Sequence, residues 1–384
     1  MTLFANGGAD SHDQVMPVVG QRPPRRVRIG WLFLSASFVL VFLLILAPAP
    51  FVIDQPGPVF NTLGTDQPVW PANSSGDTGT TQKLISIPNK KTYPTSGSLD
   101  LLTVSTVGNP QQLPSWAEVI GAWFDPSKAA IPVDVAFPPG QSADEQNEEN
   151  AQLMTDSQQD AVAAALNTLG YDFPQRVMVA QVIPNTPAAG VLKAGDQITA
   201  VDGHQVNSVQ SLRDQISANG THEPATLKIV RDGADKTVQI TPRVSGGVPI
   251  VGVGANMSYS FPFDVKIRLN NVGGPSAGQM FALGIIDKLS SGELNGGQRV
   301  AGTGTIDNEG DIGAIGGIRQ KMFAARSAGA TWFLAPAANC DEVAGHVPSG
   351  MHVFAVKTLD DSLAALKAVS TGRNTTKLPT CSAG

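Results

Sequence analysis

Gly273-Gly274-Pro275-Ser276-Ala277-Gly278 stands between a strand-like run, FDVKIRL, and an apolar helical run, SAGQMFALGIIDKLS. Glycines let a chain turn sharply and bring its backbone close to a ligand, and proline suits the opening of a helix. Ser276 is thereby set near a helix N-terminus, where unpaired N–H groups and the helix dipole favour developing negative charge. A serine nucleophile and its oxyanion need that setting, with Gly274, Pro275, Ala277 and Gly278 forming the turn. Taken alone, the same residues equally suit a serine that only caps a helix. The choice depends on whether a base exists.

The five histidines are His12, His204, His222, His346 and His352. His12 precedes a long apolar run, while His204 and His222 fall in turns of a separate small unit. His346 and His352 have no neighbouring carboxylate of the kind that orients an imidazole in a Ser-His-Asp triad. Lys321 is the better base. Projected at 100° per residue, its helix carries Ile318, Met322 and Ala325 on one stripe. Lys321 lies at the edge of that stripe beside Ala324, Ala325 and Ala328, with Arg319 and Arg326 on the other side. Small apolar neighbours would strip water from the amine and lower its pKa, as a lysine base requires. A lysine whose stem covers apolar surface while its head reaches water fits the helix geometry as well.

The elements that must position these groups fall into several blocks. The chain has 384 residues, enough for two or three domains, with 15% charged residues and a net charge of −6. No basic stripe suggests nucleic acid. Two cysteines, Cys340 and Cys381, exclude a cysteine-based zinc site and a disulfide framework; one bridge between them is left open, conditional on an oxidising compartment. Arg22, Arg25, Arg26 and Arg28 precede an uncharged run from Ile29 to Ile53, long enough to span a bilayer with the N-terminus inside. A cleaved signal peptide is the alternative, although Pro50 is a poor residue after a cut at Ala49.

Residues 54–82 read as an irregular spacer. KLISIP and LDLLTVSTV read as strands, QSADEQNEEN as an acidic linker, and DSQQDAVAAALNTLG as a helix beginning at Asp156 and ending at Gly170. Residues 249–370 alternate strands and helices, and the last dozen residues read as disordered.

Two resemblances follow from these residues. RVMVAQVIPNTPAAGVLKAGDQITAVDGHQV is similar to a bacterial PDZ domain, whose PA…L..GD.I..V.G signature it carries. The resemblance implies a peptide groove near Val177, Val179 and Val182, with the carboxylate-binding loop just before that strand. GGPSAG followed by TGTID…GDIGAIGGIRQKMFAARSAGA…FLAP resembles the proteolytic domain of Lon proteases, over about 65 residues with spacing preserved. That family uses a Ser-Lys dyad. The resemblance implies Ser276 as nucleophile, Lys321 as general base and Thr303 as the threonine that helps hold the lysine. It implies neither cofactor nor metal. Two departures are Gly273, where bacterial Lon enzymes often carry an acid, and the lack of a GxxxxGK motif followed by Ser or Thr.

The combination resembles the membrane-bound, PDZ-containing Lon-like proteases of bacteria. It implies an α+β fold: a Lon-type proteolytic domain with a small PDZ domain inserted in it, preceded by one transmembrane helix. The expected organisation is a cytoplasmic tail (1–28), transmembrane helix (29–53), spacer (54–82), N-terminal part of the Lon-like domain with its linker (83–172), PDZ domain (173–245), Lon-type core (246–370) and tail (371–384). The implied function is ATP-independent cleavage of exported or membrane-associated proteins outside the plasma membrane. Its partners would be protein or peptide substrates and the membrane, with homo-oligomers left open. Two other functional readings stay open: a PDZ adaptor with an inert protease-like domain, and an esterase or peptidase with His352 as base.

Overall fold

The computed structural model describes residues 25–71, 81–138, 140, 142–269 and 272–381. The expected tail as far as residue 24, part of the spacer and residues 382–384 lie outside them. A mixed seven-stranded sheet forms the centre, built from β1 (Phe51–Asn61), β2 (Pro68–Trp70), β4 (Ser98–Val107), β5 (Ala129–Pro132), β15 (Arg299–Gly302), β18 (Trp332–Pro336) and β19 (His352–Val356). Its order is β19-β18-β15-β4-β1-β2, with β5 also on β1. β4 lies parallel to β15, Leu99 opposite Val300 and Leu101 opposite Gly302. One sheet thus joins residues 201 positions apart.

Between those strands in sequence lies a second sheet of β6 (Gln175–Val182), β7 (Gln197–Val201), β8 (His204–Gln205), β9 (Ala225–Arg231), β10 (Ala234–Ile240) and β13 (Val253–Tyr259), in the order β10-β9-β7-β6-β13 with β8 on β7. Three two-stranded ribbons complete the β structure: β3 (Ile85–Ser86) with β14 (Lys266–Ile267), β11 (Arg243–Ser245) with β12 (Val248–Ile250), and β16 (Thr305–Ile306) with β17 (Ile312–Gly313). The described helices are α1 (Arg25–Leu46), α2 (Trp116–Trp123), α3 (Val133–Ala136), α4 (Ala143–Thr168), α5 (Val209–Asn219), α6 (Gly278–Leu289), α7 (Ile318–Ser327), α8 (Cys340–Val343) and α9 (Leu359–Thr371).

Strand alternation sorts the core into two layers. Leu99 and Leu101 of β4, Val300 of β15 and Leu334 of β18 pack with α4, α6 and α9 on one face. Leu102, Ala301 and Phe333 point the other way, onto Ile318, Met322 and Ala325 of α7. The sheet therefore lies between the helix that follows Ser276 and the helix that carries Lys321. The small sheet has its own core of Val177, Val179, Leu212, Leu227 and Ile229.

Several expectations need correction. The apolar helix ends at Leu46 rather than Ile53, because Pro48 and Pro50 bring no amide proton to continue it. The end of the expected transmembrane run and the start of the expected spacer form β1, an eleven-residue strand paired with β2, β4 and β5. Pro56, Gly57 and Pro58 hide its alternation, and the register shifts between Pro56 and Val59 to accommodate them.

α4 begins at Ala143, so the expected acidic linker is helical and Asp156 lies mid-helix. Ser142 accepts a bond from the Glu145 amide while the Glu145 carboxylate accepts one from the Ser142 amide. That reciprocal cap was readable as Ser-x-x-Glu. The chain expected to be disordered at the end is held by the Cys340–Cys381 disulfide and by the Ala355 amide donating to the Pro379 carbonyl. FDVKIRL pairs only at Lys266 and Ile267.

Candidate active site

Ser276 sits in the turn that leads into α6, whose N-cap is Ala277. Two elements grip the turn. From α4, the Asn150 carbonyl accepts from the Gly274 amide at 2.9 Å, and Ser157 Oγ donates to the Pro275 carbonyl at 2.8 Å. From the segment after β15, the Gly304 amide and Thr303 Oγ1 both donate to the Ser276 carbonyl, at 3.0 and 2.9 Å. Gly278 is required by close packing: a Cβ there would stand 2.8 Å from both Ile306 Cγ2 and Ser157 Oγ. Sequence reading singles out neither Asn150, which lies in the expected linker, nor Ser157, which lies in the expected helix, because nothing local to α4 shows that it packs on the turn.

Lys321 reaches the turn from α7. The helix starts after Gly317, which has a φ of +69°, and a Cβ at Gly317 would stand 2.7 Å from Val104 Cγ2. Glycine is what that conformation and that approach permit. Lys321 is 3% exposed and Thr303 is fully buried. Lys321 Nζ donates to Ser276 Oγ at 2.8 Å and to Thr303 Oγ1 at 3.1 Å. Burial pushes the amine down from its usual range to about 7. Such an amine is substantially neutral near neutral pH, and a neutral amine within hydrogen-bond reach of a hydroxyl can take its proton.

The histidines lie elsewhere. His352 stacks on Trp332 at 4.9 Å, and His346 Nδ1 meets the Ala344 carbonyl at 3.1 Å. His204 is in β8, and His222 is in the loop after α5. His12 lies outside the described residues.

The expected peptide groove at Val177, Val179 and Val182 needs correction. Val177 and Val179 are each 1% exposed. Their strand, β6, is flanked by β7 on one edge and β13 on the other, with Val177 opposite Ile198 and Met257. No further strand can join there. The outer edge of β13 has no strand partner among the described residues, and it runs beside α5 and α4. Sequence reading missed β13 because it lies beyond the expected end of the small unit at residue 245.

Comparison with known families agrees with this architecture. Residues 145–241 match the model for a PDZ domain, and residues 270–368 match the model for the Lon protease (S16) C-terminal proteolytic domain. The first match begins within α4 and stops before β13. The strand pairing is the better guide to the small domain, since the second half of α4 is buried in the larger core. A Lon protease 1 of Sorangium cellulosum is 36% identical over 94 residues, 24% of this chain and 11% of that protein. A Lon protease of Clostridioides difficile is 36% identical over 106 residues, 26% of this chain and 13% of that protein. The periplasmic serine endoprotease DegP of Escherichia coli is 36% identical over 70 residues, 18% of this chain and 15% of that protein. The chain thus spans a small part of the length of these relatives.

Proposed function

We propose that this chain, which joins a PDZ domain to a Lon-type proteolytic domain, is a serine endopeptidase with Ser276 as nucleophile and Lys321 as general base. The observation that carries the reading is a desolvated amine, 2.8 Å from a hydroxyl that stands at a helix N-terminus. In the neutral amine the lone pair replaces an N–H on the serine side, so the Ser276 hydroxyl donates to it. As Oγ attacks a peptide carbonyl, that proton passes to Lys321. Backbone amides at Ser276 and Ala277, within the Gly274–Gly278 turn, hold the oxyanion. Lys321 then gives the proton to the leaving amine, and water activated by the same amine hydrolyses the acyl-enzyme. Thr303 acts through Lys321, as a positioning residue.

The substrates are exported or membrane-associated proteins, caught as an added strand by the PDZ domain. Hydrolysis is independent of ATP, in keeping with the lack of a phosphate-cradling GxxxxGK motif in the 384 residues. The catalytic part is anchored outside the plasma membrane by α1. Ile29–Leu46 is apolar and wholly exposed, and its 18 residues measure about 27 Å as a helix, close to the hydrocarbon thickness. The arginines before it favour an N-terminus on the cytoplasmic side. A retained anchor is favoured over a cleaved signal. The Ala49 amide donates to the Pro114 carbonyl and the Trp116 amide to the Ala47 carbonyl, so the end of the helix is tied to the folded domain.

The decisive experiment is fluorophosphonate labelling with peptide-cleavage assays on the full chain and on Ser276→Ala and Lys321→Ala. Labelling confined to Ser276, and loss of cleavage in both variants with the fold retained, is the expected result. Full activity in either variant removes the dyad. No labelling and no cleavage at any pH leaves the chain an adaptor.

A further inference from the structure

The PDZ domain and the catalytic turn border the same cleft, of about 430 Å³. From the small domain it is lined by Val209 and Arg213 of α5 and by Asn256 and Met257 of β13. From the larger domain it is lined by Pro275, the residue before Ser276, and by Ile306 of β16. The β13 side of the cleft is the strand edge that lacks a partner among the described residues, and an edge with unpaired amides and carbonyls is a template for an extended chain.

The wall on the catalytic side is acidic. Asp156 and Asp160 of α4, together with Asp307 and Asp311 after β16, line it. No ion pair among the described residues engages any of the four. Tyr259 at the end of β13 donates to Asp160 at 2.5 Å, which ties the small domain to this wall. The interface is further held by Ser208 Oγ donating to Glu309 at 3.1 Å and by Asn308 Nδ2 donating to the Asn207 carbonyl at 3.1 Å. Arg213, on the opposite wall, is the cation among the lining residues.

We propose that one extended, cationic segment of substrate occupies the whole cleft, pairing with the open edge of β13 and continuing past the acidic wall to Ser276. The PDZ domain then delivers substrate to the catalytic turn of its own chain, and lysine or arginine beside the scissile bond is preferred. The inference rests on the serine endopeptidase reading above. It goes further in assigning the route and the charge of the substrate. The occupant is argued from the free strand edge, from continuity with the catalytic turn, and from the uncompensated carboxylates, which attract a cationic chain.

The test uses the full chain in detergent with two quenched fluorescent 14-residue peptides, identical except for three lysines in one and three glutamates in the other. The expected kcat/KM ratio is about tenfold in favour of the lysine peptide. It should fall towards one in the double variant Asp156→Asn, Asp307→Asn, or in Asp156→Asn alone if the pair fails to fold. A ratio near one in the unaltered chain, or an unchanged ratio in the variants, overturns the proposal. Anisotropy of fluorescein-labelled versions of both peptides on Ser276→Ala reads the cleft without catalysis. Preferential lysine-peptide binding lost with the two asparagines upholds the route even if Ser276 proves not to be a nucleophile. A benzophenone-bearing lysine peptide should crosslink to residues 253–259 or 209–219; crosslinks confined to other surfaces also overturn it.

Discussion

Thr303 Oγ1 donates its proton to the carbonyl oxygen of Ser276, 2.9 Å away, and that bond dictates how Lys321 meets the serine. With its proton committed, Thr303 can only accept towards Lys321, so the amine turns an N–H to it, at 3.1 Å. One of the amine's two remaining directions faces Ser276 Oγ.

Thr303→Val keeps the shape and removes both bonds. We expect kcat against a peptide substrate to fall by about ten- to a hundredfold with KM little changed, since the loss is in base alignment. Thr303→Ser should recover most of the rate. Steady-state kinetics of the two variants check this; a valine variant with full kcat would show that the threonine does not position the base.

The pH profile follows from the buried amine. The proposed base must be neutral to take a proton, and burial brings Lys321 to about 7. The logarithm of kcat/KM should therefore climb with unit slope below pH 7 and level off about one unit above it. A profile flat from pH 5 to 9 would mean that this amine does not titrate in the free enzyme.

Gly317→Ala tests the approach of α7. The added methyl meets Val104 Cγ2, and the positive φ disfavours any side chain. A shift of the first turn of α7 moves Lys321, four residues on. Activity should drop by more than tenfold with the melting temperature lowered by only a few degrees, read by kinetics and calorimetry together.

The disulfide between Cys340 and Cys381 spans 41 residues and ties the C-terminal segment to α8. Closing a loop of that length stabilises by about 2–4 kcal/mol. Reduction, or Cys381→Ser, should lower the melting temperature and make the segment after α9 sensitive to added protease. Unchanged melting and proteolysis under reducing agent would show the bridge to be dispensable.

Asp100 of β4 faces the α7 side of the sheet and is wholly buried. Burial pushes its carboxyl up to about 6, with Arg299, 3.9 Å away, offsetting part of the effect. A carboxyl raised above its unfolded value of 3.8 costs nothing below that pH. It destabilises progressively as pH rises towards 6, and the cost is constant above. Asp100→Asn should therefore stabilise the chain at pH 7.5, by on the order of 3 kcal/mol, and have little effect at pH 4. Denaturant unfolding at the two pH values reads the difference.

The sequence alone determined the features that depend on near neighbours. Ser276 was legible because a glycine-rich turn followed by an apolar run is a local pattern. Lys321 was legible because its neighbours three and four residues away are alanines, which one helix face brings around it. The α+β composition and the apolar N-terminal helix were legible for the same reason. Local signals failed where they conflicted: Pro56-Gly57-Pro58 obscured a central strand, and the polar start of α4 resembled a linker despite its Ser142–Glu145 cap.

Tertiary structure alone decided the relations between distant segments. The distance between Ser276 and Lys321 depends on a sheet that joins β4 to β15 across the intervening domain. The burial that lowers the Lys321 pKa depends on strands contributed from both sides of that domain. Which edge of the PDZ sheet is open depends on β13 pairing with β6 some 75 residues earlier in the chain, and that leaves the strand of Val177 and Val179 without a free edge. Hydrogen bonding between strands is set by register and partner, and neither is written in the residues of one strand by itself.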